Sequence, residues 1–227
     1  MKYIYDEFKT VSTDFNDPEI VAIYNEAMGK TLEKESSLAV ELAIGPGTTL
    51  LEFGCGTGLF SIAAAKCGAH VTAVDPSSAM LAETQRAAQS HGVGNLKTRH
   101  GAFLSYEHDE PPVDIIVSKI SFHHLPDFWK AEALCRFFEC LKPGGRLYIA
   151  DVIYQFDPSE SDKHFDAWID EALPKTSWPR SDFEIHINEE FSTFSWIMEG
   201  LIRRAGFHIL SSGYDGIWGE MLCERPK

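Results

Sequence analysis

The residues of this chain best suited to hold a ligand lie in LLEFGCGTG at 50–58 and in the VTAVD that ends at Asp75. An apolar strand runs into glycines spaced G-x-G-x-G, at Gly54, Gly56 and Gly58, and a second apolar strand closes on a carboxylate. Lacking a Cβ, the glycines let the backbone turn sharply and approach a bound group closely. A helix that starts near Thr57 points its free N–H groups at the same place. Asp75, at the C-terminal end of the second parallel strand, can accept hydrogen bonds from both hydroxyls of a ribose lying across the switch point. Together these features describe a site for a nucleoside-bearing cofactor.

Spacing separates this site from a dinucleotide fold. The dinucleotide fingerprint is G-x-G-x-x-G, whose helix N-terminus meets a pyrophosphate. Here Gly58 comes one residue early and Leu59 follows it. Glu52, just before the loop, would repel a pyrophosphate but attract an ammonium group. A cationic, phosphate-free nucleoside fits these residues better.

With these motifs in hand, the chain resembles the class I S-adenosylmethionine-dependent methyltransferases. LLEFGCGTG is similar to that family's first motif, VTAVD to its second, DIIVSKISFHHL at 114–125 to its fourth strand and following loop, and LKPGGRLYIAD at 141–151 to its turn and fifth strand. The matches keep the family's order over about 45–151. The resemblance implies S-adenosylmethionine as cofactor, surrounded by Glu52, Gly54, Cys55, Gly56, Gly58, Asp75, Pro76, Ala102, Phe103 and Ser118. Tyr24, on a helix that a minimal nucleoside-binding sandwich does not need, is expected to face the substrate as part of a lid. One departure is Ala102, where related enzymes often carry an aspartate for the adenine amino group. Adenine would then rely on backbone contacts at Ala102 and on packing against Phe103 or Leu59.

Methyl transfer needs the nucleophile held in line with an already activated carbon, so orientation supplies most of the acceleration. A general base is required only where the acceptor must lose a proton. His123 and His124, just beyond the fourth strand, are the candidates for that role. Two readings stand for them: proton acceptor, or lining of the cofactor pocket as histidines at this place in the resembled family often are. Lys119, a cation near a sulfonium, is expected to be solvated and to point away.

Several subclasses lack their signatures. SKIS stands where amino-methylating enzymes carry D/N-P-P-Y, Ser118 stands where catechol-type metal-dependent enzymes want a carboxylate, and the extra cysteines of arsenite methyltransferases are missing. A small-molecule acceptor remains. The competing readings are a nicotinamide-dependent oxidoreductase, disfavoured by the glycine spacing, and a non-catalytic S-adenosylmethionine-binding module, since fold alone does not settle function.

Composition bounds the rest. The 227 residues suffice for one sizeable core. The formal charge of −14 argues against a nucleic-acid partner, which would want a basic face. Twelve acids between Asp151 and Glu199 face only Lys163, Lys175 and Arg180, a balance that reads as a solvated helical surface or as a field favouring cationic or neutral substrates. No apolar run is long enough to span a membrane, and MKYIYDEFK has acids where a signal peptide has its apolar stretch, so a cytoplasmic location is expected. Five scattered cysteines, with no zinc-like Cys/His spacing, predict neither disulfide nor metal. The oligomeric state is left open.

These residues need elements to position them. Asp17-Pro18 starts a helix, and Ile20, Val21, Tyr24, Ala27 and Met28 recur at helical spacing, so 1–46 reads as a helical N-terminal extension or lid. Strands are expected at 48–53, 70–74, 96–100, 113–118 and 146–151, and helices at 57–67, 77–91 and 127–141. Unalternating apolar runs such as LLEF mark strands buried on both faces. A helix is expected at 189–205 behind Asn188, carrying Phe191 and Phe194, and FHILSSGY with GIWGEMLCE as a closing hairpin. The fold class is α/β, a doubly wound, mostly parallel seven-stranded sheet over 47–227, with a cap inserted at about 152–188.

Overall fold

Five parallel strands carry the middle of the chain: β1 (Thr49–Phe53), β2 (His70–Asp75), β3 (Leu96–His100), β4 (Val113–Lys119) and β5 (Leu141–Tyr154). After the two-residue β6 (Thr193–Phe194), the hairpin β7 (His208–Asp215) and β8 (Trp218–Glu224) closes the sheet, with β8 antiparallel to β5. The order is β3-β2-β1-β4-β5-β8-β7, and β6 pairs beside the end of β5. This is the expected doubly wound sheet of seven main strands. The computed structural model describes residues 3–9 and 13–227. Met1, Lys2, Thr10, Val11 and Ser12 of the expected extension lie outside the described residues.

Strand periodicity sends alternate side chains to opposite faces, and each face has its own core. Leu51, Phe53, Val74 and Ile116 join Phe137 and Met198 on one side. Leu50, Val71, Ile115 and Val117 join Phe60 and Ala64 on the other. Helices α3 (Leu59–Lys66), α4 (Ser78–Ser90) and α5 (Asp127–Cys140) make the crossovers. Ahead of the sheet, α1 (Pro18–Ala27) begins as expected at Asp17, whose carboxylate accepts the Glu19 N–H at 2.9 Å, and α2 (Leu32–Glu41) follows it.

Three elements differ from expectation. β5 extends beyond 146–151 at both ends, because its Leu141 pairs with β4 and Ile153 and Tyr154 pair with β6. The insertion holds α6 (Ser161–Ala172) and α7 (Arg180–Glu189), so Asn188 lies inside a helix and caps none. Instead of one helix over 189–205, the chain extends through β6 and restarts as α8 (Ser195–Arg204). Tertiary contacts explain the break: the Phe191 N–H donates to the His123 carbonyl at 2.8 Å, and the buried Lys130 ammonium donates to the Phe191 carbonyl. A continuous helix would break both contacts.

Candidate active site

The strand order reverses between β1 and β4, and at their C-terminal ends the structure opens a cleft of about 300 Å³. The glycine loop forms its floor. Gly54 (φ +68°) and Gly56 (φ +55°) both adopt left-handed backbone, yet they serve different contacts. A Cβ on Gly54 would stand 2.3 Å from Ser121 Oγ, so this glycine lets the β1 and β4 loops close on each other. A Cβ on Gly56 would meet the Tyr24 ring at 3.3 Å, on the side that lines the cleft.

Asp75 is tied to that loop. Its Oδ2 accepts the Gly56 N–H and its Oδ1 accepts the Ser77 N–H, both at 2.8 Å, which fixes the carboxylate in the cleft wall. Each carboxylate oxygen keeps acceptor capacity beyond one hydrogen bond. Burial pushes its pKa up to about 6, against the pull of the two N–H groups.

The outer wall comes from the start of the chain. Glu7 binds the backbone N–H groups of Leu104 and Ser105, Phe8 stacks on His100 at 5.4 Å, and Ser77 Oγ donates to the Phe15 carbonyl at 2.6 Å. The Phe15 ring then sets its edge against Tyr24 (5.9 Å) and His124 (6.2 Å).

Comparison with known proteins gives this geometry its context. The profile of a methyltransferase-domain family matches residues 50–145. An uncharacterized methyltransferase of Bacillus pumilus is 31% identical over 196 residues, covering 80% of this chain and 90% of that protein. The chain belongs to the methyltransferases. An uncharacterized methyltransferase of Geobacillus kaustophilus is 35% identical over 109 residues, where the match spans about half of each chain (48% and 49%). A SAM-dependent methyltransferase from Aquifex aeolicus superposes with a TM-score of 0.66 over 92% of this chain and 98% of its own. At 16% identity that likeness speaks for the fold.

In this methyltransferase the cleft brings together Tyr24, Gly54, Gly56, Asp75, Pro76, Ala102, Phe103 and His124. The backbone of Ala102 is already engaged, its N–H by Ser105 Oγ at 2.9 Å and its carbonyl by the Tyr106 N–H at 3.1 Å. Gly58 packs against Thr84 as the residue preceding α3, and Ser118 is fully buried on Ser121.

Glu52 and Cys55 lie beneath the loop, on a cavity of about 10 Å³ shared with Lys30, Glu35 and Lys119. The ammonium groups near Glu52 are thus the protein's own. Glu52 accepts the Ser61 hydroxyl, and burial pushes its pKa up to about 7. Lys119 is not solvated as expected: it is paired with Glu35 and sits 5.2 Å over the Phe60 ring. A lysine that follows a buried strand can turn back under it, where an acid from the preceding extension supplies the counter-charge.

The two histidines separate. His124 lines the cleft, and its pKa is lowered to about 4 by burial and by the neighbouring His123. His123 is 5% exposed and turns the other way, with Nδ1 2.5 Å from Asp151 Oδ1 and Nε2 3.2 Å from Glu190 Oε2. Asp151 also accepts the Phe122 N–H at 2.7 Å, and the imidazole charge holds its pKa down at about 2.

The cap packs on Val152, Tyr154 and Ile217 through Phe165 and Trp168. Among the described residues it contributes none to the cleft lining. Sequence reasoning missed Glu7 and Asn16 of the cleft wall, and named Phe8 only as part of the aromatic-rich start of the chain. Only the density of aromatics before the first helix hinted at them.

Proposed function

We propose that this chain methylates a small molecule, with the cofactor's ribose on Asp75 and its methionyl part over the Gly54–Gly58 loop. The observation that carries the reading is Asp75: a carboxylate fixed by the Gly56 and Ser77 N–H groups in the wall of a mostly apolar cleft, with acceptor sites left for a diol. When bound, S-adenosylmethionine supplies a methyl carbon activated by its sulfonium leaving group. The protein's part is to hold, orient and exclude water. Phe8, Phe15 and Tyr24 give the cleft apolar walls that suit a planar base and an organic acceptor. His124, on the same wall, is the group we assign to the acceptor, as a hydrogen-bond partner for its nucleophilic atom. His123, engaged at both nitrogens, supports the loop that presents His124.

In this reading residues 1–46 form the lid over a site built by 47–227. Among the described residues no helix is long and apolar enough to cross a membrane. A cytoplasmic setting and a partner range limited to small molecules belong to the same proposal, supported by the acidic balance of the chain.

The test has two arms. Calorimetry should show one equivalent of S-adenosylhomocysteine bound and no NAD binding; NAD binding would favour the oxidoreductase reading. A metabolite pool offered with methyl-labelled S-adenosylmethionine should yield a labelled small product, and His124→Ala should lower that turnover far more than it lowers S-adenosylhomocysteine affinity. Cofactor binding without any labelled product would leave a binding module.

A further inference from the structure

Behind His124, away from the cleft, three ligand-type atoms converge. His123 Nε2 lies 3.2 Å from Glu190 Oε2, His186 Nδ1 contacts that same oxygen, and all three atoms lie within 4.8 Å of one another. They come from two separate parts of the fold: His123 from the turn after β4, His186 and Glu190 from the end of α7. The i, i+4 spacing of the latter pair sets both on one helical face.

The outer nitrogens of both rings are occupied. Asp151 Oδ1 takes His123 Nδ1 at 2.5 Å, and Ser192 Oγ stands 2.9 Å from His186 Nε2. A histidine that gives its outer N–H to a carboxylate or hydroxyl keeps the lone pair of its inner nitrogen, the arrangement that orients imidazoles on metals. In the metal-free protein the ring nitrogens pair with Glu190 through protons; with those protons displaced, two such lone pairs and a carboxylate oxygen converge in one buried space, a donor set that a cation can take in their place. Zinc bonds of about 2.0–2.2 Å in a tetrahedron place ligand atoms about 3.3–3.6 Å apart; the His123–Glu190 pair stands near that spacing, while the hydrogen-bonded His186–Glu190 pair is closer and opens to it when the metal replaces the proton.

We propose that His123, His186 and Glu190 bind a divalent transition ion of the zinc class, with Asp151 and Ser192 orienting the two rings. The ion fastens α7 of the cap to the turn that carries His124. Three protein ligands leave its fourth position to solvent. Two imidazoles and one carboxylate suit zinc, cobalt or iron(II) better than magnesium or calcium, which prefer oxygen donors. This assignment does not depend on the methyltransferase reading, because none of the three ligands lines the cofactor cleft.

The experiment uses the untagged full chain, stripped with a chelator and then freed of it. Zinc titrated against a competing dye should fill one site with a Kd below about 1 µM, and zinc should raise the Tm. Cobalt should give the intense visible absorption of a four-coordinate ion. His186→Ala should weaken zinc at least about 100-fold, and Ser192→Ala, which leaves all three ligands in place, about tenfold. Circular dichroism and S-adenosylhomocysteine affinity check that each variant is folded. Should His186→Ala fail that check, Glu190→Gln and Ser192→Ala decide the matter. The proposal is overturned if the folded wild type binds no zinc in that range, or if its zinc affinity survives in the folded variants, which would place the ion elsewhere, for example on the exposed Cys135.

Discussion

Both carboxylate oxygens of Glu7 lie 2.9 Å from the backbone N–H of Leu104, and one of them also takes the Ser105 N–H at 2.9 Å. One acidic side chain near the start of the chain thereby ties the outer wall of the cleft to the turn after β3. Glu7→Ala removes that tie without touching the glycine loop. Hydrogen bonds to a charged group are worth about 1.5–3 kcal/mol each, so the undocked population should rise roughly ten- to a hundredfold. Trypsin cleavage at Lys9 reports it: the variant should be cut faster than the wild type, and equal rates would count against the tie. Methyl transfer should fall with it.

Asp75→Ala should weaken S-adenosylhomocysteine binding by roughly 1.5–3 kcal/mol in calorimetry, the range for a lost charged hydrogen bond. In the wild type, affinity should also fall as pH drops through about 6, because the protonated carboxyl accepts fewer hydrogen bonds. Unchanged affinity in the variant would remove Asp75 from the ribose.

Gly54 and Gly56 should fail differently. Gly54→Ala puts a methyl 2.3 Å from Ser121 Oγ at a left-handed φ, so it should cost stability by about 1–3 kcal/mol in urea unfolding. Gly56→Val should leave a folded sheet and abolish cofactor binding, since its side chain enters the cleft beside Tyr24. A Gly56→Val protein with normal affinity would refute the close approach.

Glu52 gives the apoprotein a pH signature. Burial holds its pKa at about 7, with Ser61, Lys119 and Lys30 pulling down and Glu35 pushing up. The folded value lies above the ordinary 4.5, so the protonated form favours folding. That contribution is complete below about pH 4.5 and is lost as pH rises through 7. Relative to Glu52→Gln, the wild type should lose on the order of 3 kcal/mol between these limits. Urea unfolding of both proteins across this range checks it, and parallel curves would exclude Glu52 as the source.

What the sequence made legible was local. LLEFGCGTG and VTAVD fix the loop and the carboxylate because glycine spacing and a buried apolar run act within a few residues, and β1 and β2 fall within a residue of the expected bounds. The helix expected at 189–205 failed where distant partners decide. Phe191 and Phe194 keep a helical period, but hydrogen bonding at His123 and pairing with β5 pull that stretch into extended backbone. Lys119, expected to be solvated, instead pairs with Glu35 on the N-terminal extension, and Glu52 meets the cations of Lys119 and Lys30 beneath the loop, both partners distant in sequence. The spacing of His186 and Glu190 was visible as an i, i+4 pair. Its meeting with His123 depends on the path of the cap.

The tie between Glu7 and the Leu104 turn also bears on rates. A gate that only obstructs the mouth slows entry and escape by the same factor, so it lengthens occupancy without altering the equilibrium constant. Whatever Phe8 and Phe15 add to affinity must come from touching the ligand, and that share appears in the escape rate alone. Stopped-flow association and dissociation of S-adenosylhomocysteine in the Glu7→Ala protein would therefore divide the N-terminal segment into a door and a handhold.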